Sequence, residues 1–554
     1  MSSVRERRAL SAAVLLSGSG EVLDFLLPLF AGAALKASPT AVGALLAAEV
    51  AVSLLARPVT GALADRFERR TLAACGALLY ALACTGYALT GSLPAAFAAA
   101  VVSGLGGALV WVPLRSLVGE RLTEDSSVFA RLVAAEETGG WAVFVPAVLA
   151  VGVLGYQHTF LALAACSLIA ALILARAPRR PASTPLTSTP PGSPRSPVGG
   201  SRMAGGRAAV RSSLVRRLSP MLAAVAATMV AESAIGVLLL LHLQREFGME
   251  PLEIATVFFP GAIAMSVLPP YLHRWVLRYG RARMLAAASV ASATFAAALA
   301  MAPNPPTIAI CWIAAAAAWA VVLPVQQAVI AEASGPAELG RGLGWYESAT
   351  LAGTLIGSLA AGVLYEAGSW PLACLVFTAV ILSGAVCVPA AIRRLDVPGT
   401  PPPPPTIAPA PAAQRDARQL TDAGPDAAGP APAPAADTDR VEPPTGTADT
   451  HQAPTDGPAT AQNRHRPLID LLIHAALFAT ALIAAWLIFA DLPIRGILGF
   501  GDSVTWRDTL GNGPAQTAAG VLRTWWIILI IDVVWTLAKA GTTSRSRDHA
   551  PLPK

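Results

Sequence analysis

The apolar residues of this 554-residue chain fall into blocks of about 20, separated by short polar stretches. An α-helix of about 20 residues crosses the roughly 30 Å of hydrocarbon in a bilayer, so each block predicts a transmembrane helix. Twelve such blocks lie at approximately 9–31, 40–63, 71–91, 93–118, 132–154, 158–176, 218–242, 252–275, 283–302, 307–331, 342–365 and 370–391. Two more, near 468–490 and 520–540, predict a helical hairpin. The pattern predicts an all-α membrane protein with 14 helices.

Two long polar segments divide the chain. The first is rich in Pro, Ser, Gly and Arg, contains no acid and predicts a flexible cytoplasmic linker. The second is rich in Pro, Ala, Asp and Thr, cannot build a core and predicts a disordered linker. The expected order is a six-helix half, the basic linker, a second six-helix half, the disordered linker, the hairpin and a cytoplasmic tail, at residues 1–176, 177–217, 218–394, 395–467, 468–541 and 542–554.

The composition excludes a soluble enzyme. Hydrophobic residues make up 54% of the chain and charged residues only 13%, whereas soluble chains carry about 25% charged residues. The six cysteines fall singly inside apolar blocks, and the sequence has no nucleophile–base set, phosphate-binding loop or metal-ligand spacing. We therefore expect no enzymatic activity, no cofactor and no metal site.

The net charge of +6 and the pI near 9.2 could indicate a nucleic-acid partner, but the position of the basic residues argues against one. Most are arginines in short loops on one side of the predicted helices, where excess positive charge marks the cytoplasmic face. We expect a multi-pass protein of the plasma membrane, the inner membrane of a bacterium, with cytoplasmic N- and C-termini. The arginines of that side are Arg66, Arg69, Arg70, Arg121, Arg131, Arg274, Arg278, Arg281, Arg283, Arg341, Arg393 and Arg394.

The two predicted halves resemble one another when the sequence is shifted by 210 to 212 residues. The matches include proline and charged positions as well as apolar ones, in constant order. The pairs are Pro39 with Pro251, Pro58 with Pro270, Arg66 with Arg278, Arg69 with Arg281, Pro113 with Pro324, Glu120 with Glu332, Arg131 with Arg341, and Glu137 with Glu347. We infer a duplicated six-helix unit.

Residues 57–70 read RPVTGALADRFERR and lie between the second and third predicted helices. This segment resembles the G-x-L-x-D-R-x-G-R-R loop of the major facilitator superfamily. With the twelve helices, the long central loop and the repeat, the resemblance covers about residues 9–394. It implies two six-helix halves around a central cavity that opens alternately to each side.

The resemblance also implies a gate at the cytoplasmic side. Asp65 would contact the start of the eleventh helix, whose N-terminus carries partial positive charge; alternatively, the loop charges only enforce topology. Glu68 occupies a position where the family has Gly, and Leu277 replaces the Asp in the second copy, so the gate is predicted to be asymmetric. The predicted gate residues are Gly61, Asp65, Arg66, Arg69, Arg70, Arg131, Glu137, Arg278, Arg281, Arg341 and Glu347.

Three acids lie at membrane depth, where a carboxylate costs several kcal/mol unless it is neutralised, paired or hydrated. Glu21 and Asp24 share a face of the first helix, and Glu232 has a similar depth on the seventh, its repeat partner. The resemblance places both helices at the cavity. We hypothesise that these acids couple a proton gradient to substrate movement; the alternative is a packing role through inter-helix hydrogen bonds.

Other polar residues are candidates for the cavity. Arg115 would bind an anionic group of the substrate, balance the first-helix acids, or extend to the interface. Gln326 and Gln327 lie at repeat positions close to Arg115, and at least one would hydrogen-bond substrate. Glu136, Glu137 and Glu347 lie nearer the cytoplasmic ends and are expected in gate networks with Arg131 and Arg341. Glu49 would pair with a basic group or face a hydrated crevice.

The sequence therefore favours a secondary active transporter, a proton-coupled exporter of an amphipathic or drug-like small molecule. Exporters of the superfamily that this chain resembles carry a Gly-Pro followed by paired glycines on helix 5. This chain has only Gly140 and Pro146 of that pattern, so proton-linked uptake of a nutrient stays an alternative. A non-transporting membrane scaffold or sensor that acts through the C-terminal hairpin is another. The expected partners are the substrate, protons, the lipid bilayer and a membrane protein bound to the hairpin.

Overall fold

A computed structural model describes residues 4–179, 203–249, 251–367, 370–395 and 397–401, and six residues between 519 and 533. The first five ranges contain helices and no strand, and their helices belong to one compact unit. The helices are α1 Val4–Ala33, α2 Pro39–Ala64, α3 Arg69–Leu89, α4 Leu93–Gly119, α5 Val128–Ala175, α6 Met203–Arg245, α7 Pro251–Tyr279, α8 Arg281–Leu299, α9 Pro305–Ser334, α10 Leu339–Ala367 and α11 Trp370–Arg394.

The long helix α5 is two helices joined at Gly155. Gly155 has φ 76° and ψ 174°, a conformation that glycine adopts readily and other residues rarely do. The fifth and sixth predicted helices therefore run on from one another without a loop. With this division the described chain has the twelve predicted helices. The expected hairpin, the total of 14 helices and most of residues 395–554 lie outside the described residues; the six described between 519 and 533 are helical.

Ten spans in the described residues are long and apolar enough to cross a membrane. They do not include α7 or the first part of α5. The chain is thus a multi-pass membrane protein. One boundary differs from the expectation, since α6 begins at Met203, inside the predicted basic linker. Residues 203–217 contain no proline, so nothing in their backbone chemistry interrupts a helix that continues into the membrane span.

Polar side chains cap two of the helices that begin at the end of the bundle facing away from the arginine loops. The hydroxyl of Ser38 accepts a hydrogen bond from the Ala41 amide at 3.2 Å, and Pro39 occupies the first turn of α2. Asn304 caps α9 in the same way, accepting from the Thr307 amide at 3.0 Å before Pro305. Such caps satisfy amide donors that a helix start leaves free.

We call the end of the bundle that carries the loops α2–α3, α4–α5, α7–α8 and α9–α10 the Arg-rich end. A continuous apolar core joins the two halves there and includes Leu114 and Phe129 of the first half and Val329, Leu343 and Tyr346 of the second. Towards the other end each half has its own core. The structure is therefore closed between the halves at the Arg-rich end.

Candidate functional site

Asp65 connects the two halves at the Arg-rich end. It ends α2, and its two carboxylate oxygens accept hydrogen bonds from the amides of Gly340 at 2.6 Å and Arg341 at 3.1 Å. These amides belong to the first turn of α10, the eleventh helix of the twelve, where the helix dipole favours a negative charge. Burial raises the pKa of the Asp65 carboxyl, opposed by the amide hydrogen bonds and by the charges of Arg69 and Arg341.

Glycines let α2 and α10 approach backbone to backbone. A Cβ added at Gly61 would overlap the carbonyl oxygen of Gly340. A Cβ at Gly340 would lie 2.7 Å from Asp65 Oδ1, and one at Gly344 would lie 2.7 Å from the Arg57 carbonyl oxygen. Sequence reasoning singled out Gly61 alone; the G-R-G-L-G run at 340–344 was the signal for its counterparts.

A second network lies deeper between the halves and contains two arginines and two glutamates. Arg57 of α2 forms an ion pair with Glu347 of α10, and these side chains are only 9% and 4% exposed. Arg115 of α4 lies 2.6 Å from the other oxygen of Glu347 and 3.0 Å from Glu136 of α5. Arg57 Nη1 also donates to the Glu347 carbonyl oxygen at 3.1 Å.

The network corrects the expected ion pairs. Glu136 and Glu347 pair with Arg57 and Arg115. They do not pair with Arg131 and Arg341, whose carboxylate partners are other residues. Arg115 therefore neither balances the first-helix acids nor extends to the interface. Arg57 lies in the loop motif, but no role followed from its place in the sequence.

The gate arginines pair within their own halves. Arg131 contacts Glu6 at 2.6 Å and Asp125 at 2.8 Å, and Arg341 contacts Glu338 at 3.1 Å. Burial by itself would raise the pKa of Asp125, but hydrogen bonds from Ser127 and the Arg131 charge outweigh it and lower it to about 2. This charge density holds the α4–α5 loop against α1.

The internal repeat is visible as a duplicated ion pair. Arg69 at the start of α3 lies 3.0 Å from Glu120 at the end of α4, and Arg281 at the start of α8 lies 2.5 Å from Glu332 near the end of α9. Arg69 also lies 3.7 Å from Asp65. Arg70 lies 3.8 Å from Glu68 and donates to the Ala175 carbonyl oxygen at 3.2 Å, which ties α3 to the end of α5. Arg278 lies over Tyr279, and Arg66 is exposed.

The two copies of the loop differ as their residues indicate. Glu68, in place of the usual Gly, caps α3 with φ −63°, so no glycine conformation is required, whereas Gly280 has φ 84°. Leu277 replaces Asp65 in the second copy. The polar contacts of α7 with the first half are instead those of His273 with Ser126 of the α4–α5 loop and of Ser266 with Trp141 of α5, each at 2.9 Å. The hydrogen bonds that Asp65 accepts from the start of α10 therefore have no equivalent among these contacts.

The membrane acids form two groups. Glu137 of α5 is close enough to Glu21 of α1 and Glu232 of α6 for their charges to interact, and a Cβ added at Gly140 would lie 3.7 Å from Glu21 Cγ. Oε2 of Glu232 is buried and has no hydrogen-bond partner among the described residues. Glu137 thus lies beside the membrane acids, and it takes no part in the ion pairs that the described residues form at the Arg-rich end.

The second group lies within the first half. Asp24 is near Glu21 and Glu49, and Glu49 accepts a hydrogen bond from Ser103 of α4 at 2.5 Å. The basic partner considered for Glu49 is replaced by this hydroxyl. Glu21 and Asp24 are exposed residues, so neither is enclosed by packed side chains of the described residues.

Gln326 and Gln327 are buried on α9, with 1% and 2% exposure. Gln326 donates to Thr228 of α6 at 3.4 Å, and neither amide oxygen has a partner among the described residues. Gln326 and Thr228 line a cavity of about 420 Å³ within the second half, together with Trp319 and Ser292. Gln326 therefore faces a space different from the charged network around Arg115.

Twelve helices in two repeated halves, joined by charged contacts at one end and carrying acids between them, define a membrane transporter. The Major Facilitator Superfamily model matches residues 9–230 and 221–538. The chain belongs to this superfamily, whose members are secondary transporters. The resemblance inferred from the loop motif is confirmed.

Solved structures of the same fold include two transporters. The human organic anion transporter MFSD10 (TETRAN) is 16% identical, with a TM-score of 0.56 over 70% of this chain and 100% of that one. The proton:xylose symporter XylE, bound to 6-bromo-6-deoxy-D-glucose, is 14% identical, with a TM-score of 0.54 over 69% of this chain and 94% of that one. At these identities the likeness concerns the fold alone. No curated protein matches the chain in sequence.

Proposed function

We propose that this protein is a proton-coupled exporter of a small amphipathic molecule, with the Arg-rich end and both termini on the cytoplasmic side of the plasma membrane. The observation that carries this proposal is that Glu137 lies close enough to Glu21 and to Glu232 for their charges to interact. Glu21 and Glu137 belong to one half and Glu232 to the other, so relative movement of the halves changes the surroundings of all three.

The physical basis of coupling is the cost of charge in the membrane. Neighbouring carboxylates repel one another, and burial favours the protonated form of a carboxyl group. A conformation that brings these acids together and excludes water retains protons; one that separates or hydrates them releases protons. A hydrogen-bonding group of the substrate competes with the protons for the same oxygens, and Glu232 Oε2, which has no partner among the described residues, is available for it.

The contacts at the Arg-rich end supply the gate. In the closed structure Asp65 holds α10, and Glu347 holds Arg57 and Arg115. Opening at this end breaks both sets of contacts together, because α2 and α4 belong to one half and α10 to the other. The protein then alternates between two states in which one end is closed, as required for transport without a continuous pore.

We expect Glu21→Gln and Glu232→Gln to abolish pH-driven flux, because an amide cannot carry the transported proton. The measurement uses purified full-length protein in liposomes with an imposed pH gradient of either sign and pooled metabolites and drugs as substrates. The sign of the gradient that drives accumulation separates export from uptake. Glu124→Gln is the matched control, since Glu124 is 61% exposed and its ion pair in the described part of the chain is with Arg121 of the same loop. Flux that stays fully pH-driven in both variants contradicts the coupling.

The same assay tests whether the C-terminal hairpin carries the function. Transport by the twelve-helix body predicts that truncation after residue 401 preserves flux. Loss of flux in a folded truncated protein would instead support a role for the hairpin as a scaffold or partner-binding element.

A further inference from the structure

The buried network at the Arg-rich end is divided unequally between the halves. Arg57, Arg115 and Glu136 lie on α2, α4 and α5 of the first half, whereas Glu347 lies on α10 of the second. Glu347 uses one oxygen for each arginine. In the closed structure the two positive and two negative charges balance.

Opening of the Arg-rich end removes that balance. The halves of transporters built from repeats move largely as rigid bodies, so Glu347 leaves with α10 while the other three groups stay together. The first half then has two guanidinium groups and one carboxylate, facing the newly opened space. An arginine pair that loses its carboxylate is a strong site for another anion, because guanidinium groups bind planar carboxylates through two parallel hydrogen bonds.

We propose that Arg57 and Arg115 form a binding site for the carboxylate of an amphipathic organic anion when the Arg-rich end is open. Glu347 occupies the same site in the closed state as an intramolecular substitute for that carboxylate. The inference rests on the proposed transport function and specifies the chemical class of its substrate.

The surroundings of the two arginines suit such a ligand. Arg57 Nε donates to Ser53 at 3.3 Å, which orients its outer nitrogens towards α10. The Arg115 guanidinium lies 5.1 Å from the centroid of the Trp111 ring, so an apolar aromatic surface adjoins the charge. Arg115 Nε has no acceptor among the described residues and is available to a further oxygen.

Competition between Glu347 and the ligand has a consequence for the transport cycle. The Arg-rich end cannot close while a carboxylate occupies both arginines, because Glu347 has to return to them. The anion must first move deeper between the halves or return to the cytoplasm. Arg57 and Arg115 are therefore an entrance site, and the returning Glu347 prevents the anion from going back.

Binding of 1-naphthoate and of its uncharged isostere 1-naphthamide to purified full-length protein in nanodiscs tests the site, by equilibrium dialysis. Gly61→Leu should favour the open Arg-rich end, because a side chain there overlaps Gly340. In that background we expect naphthoate to bind at least about tenfold more tightly than naphthamide, the ratio expected for a charge-assisted hydrogen bond. Arg57→Gln and Arg115→Gln should each remove that preference. Arg121→Gln should preserve it, since its partners Glu6 and Glu124 lie within the first half.

A gain of affinity gives a second, independent result. In the otherwise unchanged protein, Glu347→Gln should increase naphthoate affinity by about tenfold and leave naphthamide unchanged, because it removes the competing carboxylate. Arg57→Lys keeps the positive charge but loses the planar guanidinium that forms two parallel hydrogen bonds, so it should weaken naphthoate binding. Size-exclusion chromatography checks that this variant stays folded.

Equal binding of naphthoate and naphthamide to the Gly61→Leu protein overturns the proposal, as does absence of naphthoate binding at millimolar concentration. A folded Glu347→Gln protein with unchanged naphthoate affinity overturns the competition. Proton-driven flux is measured separately. Intact flux together with equal binding of naphthoate and naphthamide would reject the anion site at Arg57 and Arg115 but not the proposed transport function. Preferential naphthoate binding without pH-driven flux would reject proton coupling but not the anion site.

Discussion

Gly61→Leu should abolish transport while leaving the protein folded. Leucine is a better helix former than glycine, so α2 itself gains stability, but its side chain occupies the space of the Gly340 backbone. Overpacking of this kind costs about 1–3 kcal/mol, which shifts an equilibrium between two states by roughly 5- to 150-fold. The closed state of the Arg-rich end is the one that loses population.

Labelling of a cysteine at Ser348 reports that shift. Ser348 is 7% exposed and donates to the Leu54 carbonyl oxygen across the α2–α10 contact at 3.3 Å. In a chain whose six native cysteines are replaced by alanine, Ser348→Cys should react slowly with a maleimide and at least about tenfold faster with Gly61→Leu. Gly43→Leu is the matched control. Gly43 lies on the same helix as Gly61, and a Cβ added there has no described atom within 4 Å. Lost transport with unchanged labelling would show that Gly61 acts elsewhere.

Arg281→Gln should cause the largest loss of stability among the charged positions. Arg281 is 1% exposed, forms two hydrogen bonds with Glu332 at 2.5 and 2.6 Å, and also donates to the Pro398 carbonyl oxygen at 3.2 Å. Removal of one partner from a buried ion pair costs about 3–5 kcal/mol. Glu332 is 19% exposed and would lose the partner that compensates its charge, so we expect a loss near the lower end of that range. Thermal unfolding in detergent, followed by tryptophan fluorescence, measures the loss.

A double-mutant cycle separates the ion pair from other effects of Arg281. Glu332→Gln added to Arg281→Gln should restore part of the lost stability, since no charge is then left unpaired. Arg283→Gln, at an exposed position two residues along α8, should change little. Equal unfolding temperatures for Arg281→Gln and Arg283→Gln would show that the duplicated pair does not hold α8 to α9.

The helices were predictable because their causes are local. An apolar run of sufficient length becomes a helix in the bilayer whatever its neighbours do, since lipid offers no partners for backbone polar groups. The direct connection of two helices at Gly155 was harder to predict, because the two apolar blocks on either side of it look like separate elements in the sequence. The start of α6 was misplaced because a composition typical of linkers is also compatible with a helix.

The site was predictable only in part. The contact of Asp65 with α10 followed from the loop motif, and the Arg69–Glu120 and Arg281–Glu332 pairs connect positions that the repeat had already aligned. The position of Glu137 beside Glu21 and Glu232 did not follow, because neighbouring residues on one helix, such as Glu136 and Glu137, point in different directions.

The sequence by itself determined the class of the protein: a membrane bundle of two six-helix repeats, with arginines sorted to one end and a few acids within the membrane. Each of these properties depends on hydrophobicity, charge and order along the chain. Only the tertiary structure decided which charges meet. Arg57 and Glu347 are 290 positions apart and belong to different halves, so their pairing depends on how those halves pack.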